Sequence, residues 1–161
     1  MAASLSLRVY TGAGATESAV VTGIDLESAD NATNTLANRQ ANPITVATNS
    51  YEKWLKLKID TAPANGVTNF KIWGDGAVDT STTLAFTSQY VTFQQASTVT
   101  TTIGNANFVT YTSGNKATWD TVSYSATAAT TKFVLFQLQV AATANPGNWT
   151  QETISYSYDE T

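Results

Sequence analysis

The stretch "NSYEKWLKLKID", from Asn49 to Asp60, decides between a helical and an extended chain. In a helix, Tyr51, Leu55 and Ile59 share one side, but Leu57 then lies on the wrong side. In a strand, all three aliphatic residues from Leu55 onward share one face. The other face holds Glu52, Trp54, Lys56, Lys58 and Asp60. The segment is therefore predicted to be a β-strand.

Lys53, Lys56 and Lys58 place three of the eight basic residues of the chain within six positions. On a strand they indicate mainly a solvated face, where lysine also discourages edge-to-edge aggregation. The alternative is a contact patch for an acidic partner surface, formed by Trp54 between Glu52 and Lys56. Nucleic acid is not an expected partner, because no second basic cluster extends this one and the pI is near 4.5.

The composition favours a β-rich domain whose surface is hydrated through hydroxyl and amide side chains. The chain has 161 residues, a net charge of −4 and 11% aromatic residues, which suits a single domain over 1–161 with a buried core. Charged residues make up 12%, against about 25% in an average globular protein, and Thr, Ala, Ser and Asn take their place. No stretch of about 20 apolar residues occurs, so no membrane partner is expected.

Alternating apolar residues recur between turn signals along the whole chain. In "KFVLFQLQV" (132–140), one face holds Val134, Phe136, Leu138 and Val140. Phe133 and Leu135 lie opposite, so this strand is predicted to be central and covered on both sides at its start. About ten short strands with this spacing predict an all-β, jelly-roll-like antiparallel β-sandwich with no substantial helix.

A long polar loop at about 27–43 interrupts this pattern. Loops beyond about 12–15 residues are usually functional or disordered. One interpretation is an arm that lies on a partner. The other is a surface loop with one helical turn.

The chain has no histidine and no cysteine, which removes the commonest general base and metal ligand and all thiolate chemistry. The acidic residues are scattered, so no enzyme activity and no cofactor are expected. Asp75 and Asp79 flank Gly76 and are potential oxygen ligands for a calcium ion, although a "GDG" sequence after a strand favours an ordinary turn.

The four tryptophans allow a second binding hypothesis. Trp73, together with Trp54, Trp119 and Trp149, has the side chain that stacks on sugars in a carbohydrate-binding module or a receptor-binding fibre domain. Such a site requires at least two exposed, coplanar Trp or Tyr rings, with Trp73 as the first candidate. Packing in the core or at the sheet rim is the commoner use of tryptophan in a sandwich.

The segments "NSYEKWLKLKI" (49–59) and "VTNFKIWGDG" (67–76), with "RVYTGAGATE" (8–17), resemble small β-rich virion proteins of tailed bacteriophages. The resemblance implies a structural protein, first of all a capsid decoration (cement) protein, with a tail or neck component as the alternative. It implies the major capsid protein as partner, the outer capsid surface of the virion as location and synthesis in the host cytoplasm. It brings no catalytic residues.

Decoration proteins that bridge coat subunits often lie on symmetry axes, so a homo-oligomer, and specifically a trimer, is expected. Segment 2–9 and the loop 27–43 are the predicted contact regions. The candidate interface residues are Leu5, Leu7, Arg8, Leu36, Arg39, Trp54, Lys56 and Lys58.

Overall fold

The computed structural model describes residues 2–32, 35–74, 81–99, 103, 106–145 and 152–161. Within these residues the chain forms eight strands, one short helix and one 3₁₀ turn, so the predicted all-β class is confirmed. The strands are β1 (Ser4–Thr11), β2 (Thr16–Glu17), β3 (Lys53–Thr61), β4 (Val67–Gly74), β5 (Thr82–Tyr90), β6 (Ala117–Asp120), β7 (Phe133–Val140) and β8 (Ile154–Glu160). The helix α1 spans Leu36–Ala41, and the 3₁₀ turn spans Phe108–Thr110.

The strands form two antiparallel sheets. The five-stranded sheet has the order β2-β1-β3-β7-β5, and the three-stranded sheet has the order β6-β4-β8. Strand β7 pairs with β3 on one side and with β5 on the other, which confirms the prediction that 133–140 is a central strand. The segment 51–60 contributes most of β3, so its assignment to a strand is also confirmed.

One hydrophobic core lies between the two sheets, and the predicted sandwich is therefore confirmed. The five-stranded sheet contributes Leu55, Leu57 and Ile59 from the inner face of β3, all at most 1% exposed. The facing sheet contributes Phe70 and Ile72 of β4, with Trp119 of β6 beside them. Each such aliphatic side chain contributes about 1.5–3 kcal/mol on burial, so the alternation along β3 fixes which face looks inward.

A second, smaller cluster covers the outer side of the five-stranded sheet where β3 and β7 pair. Trp54 of β3 packs there at 5.3 Å from Phe133 and 5.1 Å from Phe93, measured between ring centroids. Leu135 belongs to the same cluster, so the prediction that β7 is covered on both sides at its start is confirmed.

The prediction that Glu52 and Trp54 lie on a solvated face is wrong. Both side chains are buried, because residues 91–99, which follow β5, fold over this end of β3. The backbone N–H of Glu52 donates to the carbonyl of Ser97 at 3.0 Å. The indole Nε1–H of Trp54 donates to Glu52 Oε2 at 3.1 Å, which gives both buried polar groups a partner.

Candidate interaction surface

The long polar segment 27–43 carries the short helix α1 on the surface of the sandwich. Thr35 caps the helix, and its hydroxyl oxygen accepts from the backbone N–H of Asn38 at 3.2 Å. Five of the six helical residues are exposed, and the exception is Asn38. Leu36 is 62% exposed, which is a high value for a large aliphatic side chain. The helical turn allowed by the sequence is therefore present, while contact with a partner stays a prediction.

Asn38 and Arg39 tie this helix to the segment that precedes it. The side-chain nitrogen Nδ2 of Asn38 donates to the Glu27 carboxylate oxygens at 3.0 and 2.9 Å, and to Asn31 Oδ1 at 3.0 Å. Arg39 Nη1 donates to both carboxylate oxygens of Asp25, at 2.9 and 3.1 Å. Hydrogen bonds to ionised groups are about twice as strong as neutral ones, so the exposed helix rests on strong anchors.

Lys53 fixes the same segment to the sandwich from below. Its Nζ donates to the backbone carbonyl of Asn31 at 2.6 Å and to that of Ala29 at 3.4 Å. It also pairs with Glu27 Oε1 at 3.5 Å, with the two side chains only 2% and 1% exposed. The three N–H groups of the ammonium thus each have an oxygen within reach.

Burial disfavours the charge on both members of this pair. It lowers the pKa of Lys53 and raises the pKa of Glu27, and in each case the charge of the partner opposes the shift. The prediction that Lys53 lies mainly on a solvated face is wrong. Lys53 has the same strand parity as Leu55 and points inward, and residues 27–31 close over it.

The other two lysines of β3 have different surroundings. Lys58 Nζ pairs with Glu17 Oε1 at 2.8 Å, and both side chains are about one-third exposed or less. Its hydrogen bond is the main reason why the pKa of Glu17 is lowered. Lys56 Nζ lies 4.1 Å from the ring centroid of Phe133, and burial lowers the pKa of Lys56. Of the three, Lys58 comes closest to the predicted solvated position.

The predicted interface residues do not form one surface. Leu36 and Arg39 lie together on α1, while Arg8 lies opposite Lys56 in the pairing of β1 with β3. Leu5 and Leu7 are partly buried and pack against the main core. Trp54 is 0% exposed, so its assignment to a contact surface needs correction: the folded protein offers this side chain to no partner.

The structure does not place the predicted calcium ligands. Asp75, Gly76, Asp79 and Trp149 lie outside the described residues. Within the described ranges, no group of three acidic side chains is placed to hold a metal ion.

Two of the four tryptophans, Trp54 and Trp119, are core residues. Trp73 is half-buried, and Lys116 Nζ lies 4.2 Å from its ring centroid. Among the tryptophans that the structure describes, Trp73 alone offers a partly exposed ring, so no pair of exposed tryptophans forms a sugar platform there.

Hydroxyl and amide groups line the surface hollows. One hollow is formed mainly by the connection from α1 to β3 and is lined by Ser28, Pro43, Thr45, Ala47, Thr48, Asn49 and Thr98. Another lies where β5 and β7 meet and is lined by residues that include Thr82, Thr83 and Gln139. These side chains suit hydrogen bonding across a wet protein interface.

None of the helices in the part of the chain that the structure describes has the length and apolar character that crossing a membrane requires. Comparison of this chain with protein-family models, with curated proteins and with solved structures found no match.

Proposed function

We propose that this chain is a non-enzymatic structural protein of a tailed-phage virion, a capsid decoration (cement) protein that binds the outer capsid surface and bridges coat subunits. The proposal rests first on the resemblance of segments 49–59 and 67–76 to small β-rich virion proteins. These two segments supply most of β3 and all of β4, which each pair with a strand on both sides in their sheets.

The single observation that carries the binding role is the fixed, outward-facing segment around α1. Its exposed side chains belong to a helix that is held from beneath by Glu27, Lys53 and Asp25. A surface that is ordered before it meets a partner loses less conformational entropy on binding than a flexible loop does. This arrangement supports attachment by shape and hydrogen bonding, without any reactive group.

Leu36 and Arg39 are the proposed centre of this contact. They are three positions apart on a helix and therefore lie on the same side. Arginine is enriched in protein interfaces, and Leu36 adds a large exposed aliphatic side chain that an interface would bury. A stable interface buries about 800 Å² on each partner, so α1 alone is too small, and the second predicted contact region, segment 2–9, would contribute as a separate patch.

Electron microscopy of the native particle at side-chain resolution tests the proposal. We expect density for this chain on the outside of the shell, across the boundary between neighbouring coat subunits, with α1 facing the coat. Density confined to the tail or neck would contradict capsid decoration and favour the alternative, in which the chain assembles into rings of fixed order.

Rebinding to shells depleted of this chain tests the contact itself. Leu36→Asp should lower the occupancy of the shell at least about tenfold if the side chain lies at the centre of the interface. Val91→Asp is the matched control, because Val91 is also an exposed aliphatic residue, at 72%, and follows β5. Equal occupancy for both variants would contradict a role for α1, and failure of the unmodified chain to rebind would contradict the proposed function.

A further inference from the structure

The outer face of the three-stranded sheet carries a patch of basic, aromatic and hydroxyl side chains. The pairing register places Lys71 of β4 level with Thr118 of β6 and with Ser157 of β8, and Trp73 level with Ser155. Lys116 precedes β6 and reaches over Trp73. The basic sheet face consists of Lys71, Trp73, Lys116, Thr118, Ser155 and Ser157.

The two lysines of this face differ from the other basic residues of the chain. Five of the eight basic residues form ion pairs with acids of the same chain: Arg8, Arg39, Lys53, Lys58 and Lys132. Lys56 lies over the Phe133 ring. Among the described residues, Lys71 and Lys116 have no acidic partner. Lys71 Nζ donates to Thr118 Oγ1 at 3.0 Å, and Lys116 Nζ is 4.2 Å from the Trp73 ring centroid.

Two acidic residues lie near the ends of the face: Asp159 follows Ser157 in β8, and the Glu152 carboxylate lies close to Gly74, the residue after Trp73. Asp159 of β8 accepts from Asn69 Nδ2 at 2.7 Å, so its carboxylate already has a partner. Lys71 and Lys116 therefore place two positive charges on this face that form no ion pair within the described part of the chain, while the net charge of the chain is −4. Two cations that are not engaged in ion pairs attract and orient a negatively charged partner.

We infer that the basic sheet face is a docking surface for a carboxylate-rich protein. Trp73 supplies the kind of large, half-buried ring that carries much of the energy in protein interfaces. The two ammonium groups flank it, and the three hydroxyls are positioned to hydrogen-bond a partner. The main core separates this face from the five-stranded sheet, so the inference does not depend on α1 or on attachment to a capsid.

The charge of the chain favours carboxylates over nucleic acid as the occupant. Binding to a phosphate backbone depends on many cations that each release a counterion, whereas this face has two. An acidic protein surface presents fewer charges at lower density, which two lysines can match. A nucleic acid is therefore the competing occupant that the experiment has to separate.

The test is a titration of the ¹⁵N-labelled full-length chain, with poly-L-glutamate as the carboxylate probe and a single-stranded oligothymidylate of equal charge in parallel. We expect poly-L-glutamate to shift the indole N–H signal of Trp73 and the backbone amides of residues 71–73 and 116–118. The shifts should disappear at about 0.5 M salt, where exposed charges are screened.

Two paired substitutions distinguish binding at this face from a general effect of the net charge. Lys71→Gln with Lys116→Gln should weaken the binding of poly-L-glutamate about tenfold, since each exposed ion pair contributes modestly. Val20→Asp with Val91→Asp changes the net charge by the same two units at exposed positions elsewhere and should leave that binding within about twofold. Equal weakening by both pairs, shifts outside this face, or tighter binding of the oligothymidylate would overturn the inference. The unchanged spectrum of each unbound variant shows that it is folded.

Discussion

Lys53 and Lys58 lie five positions apart on one strand, and each pairs with a glutamate, yet the two pairs have opposite physical characters. The Lys53–Glu27 pair is buried and fixes a surface segment that is distant in sequence. The Lys58–Glu17 pair is partly exposed and joins β3 to β2 across the intervening strand β1. The contribution of an ion pair to stability therefore depends on its burial. Removal of one partner leaves a charge that is both buried and unpaired only when the pair itself is buried.

The largest expected effect is that of Lys53→Met. Loss of the ammonium leaves the Glu27 carboxylate buried without its counter-charge, and breaking a buried pair in this way costs about 3–5 kcal/mol. The matched control, Lys58→Met, removes a solvated pair and should cost at most about 1 kcal/mol. Urea denaturation of both variants measures the two free energies of unfolding. Similar losses would show that the two pairs do not differ as described.

Removal of both charges should restore much of this loss. In Lys53→Met with Glu27→Leu, no charge remains stranded, and hydrophobic replacements of a buried pair are often neutral or stabilising. We expect the double variant to be at least about 2 kcal/mol more stable than Lys53→Met alone. A double variant as unstable as the single one would indicate that the hydrogen bonds of Lys53 to the carbonyls of Ala29 and Asn31 dominate.

The next effect concerns the link between α1 and the buried pair. Asn38→Ala removes the donors to Glu27 and should cost about 1.5–3 kcal/mol, the range for hydrogen bonds to charged groups. Gln40→Ala, an exposed position of the same helix, should stay within about 0.5 kcal/mol of the unmodified chain. Thermal or urea unfolding distinguishes the two, and equal values would exclude Asn38 as an anchor.

Much of the β-sandwich was predictable because the alternation of apolar and polar residues depends only on the geometry of each strand. Leu55, Leu57 and Ile59 face inward as the pattern requires, and Phe133 and Leu135 indicate a strand covered on both sides. The surroundings of Trp54 and Glu52 were not predictable in this way. Their burial depends on residues 91–99, about 40 positions along the chain, and alternation cannot report which distant segment covers a face.

The burial of Lys53 had a signal in the sequence. An ionisable residue in phase with an aliphatic face is seldom fully buried unless it is paired, and Lys53 is in phase with Leu55. The polar segment 27–43 begins with an acidic residue, Glu27, that has no evident partner nearby in sequence. These two observations together indicate a long-range pair, although they do not identify Glu27 over the other acids.

The smallest effect is the opposite response of the two glutamates to pH. Burial raises the pKa of Glu27. Between the pKa of the unfolded chain and this raised pKa, the folded state therefore binds more protons than the unfolded state. The contribution of Glu27 to the free energy of unfolding thus falls as pH rises through the raised pKa. The pKa of Glu17 is lowered by its hydrogen bond from Lys58. Its contribution is present above the unfolded pKa and is lost as pH falls through the folded one.

Carboxyl ¹³C shifts followed against pH measure both values directly. We expect Glu27 to titrate above Glu17, and Lys58→Met to raise the pKa of Glu17 alone. A lower pKa for Glu27 than for Glu17 would contradict the assignment of burial as the dominant cause.

The central claim is that the Lys53–Glu27 pair holds the surface segment around α1 in place. Amide hydrogen exchange tests it at Ser28, Asn42 and Tyr51, whose N–H groups donate within or next to this segment. In Lys53→Met, these amides should lose at least about tenfold in protection, while Leu135 in the centre of β7 keeps a rate set by global unfolding. Retained protection at all three amides would contradict the claim, because the segment would then be held without the pair.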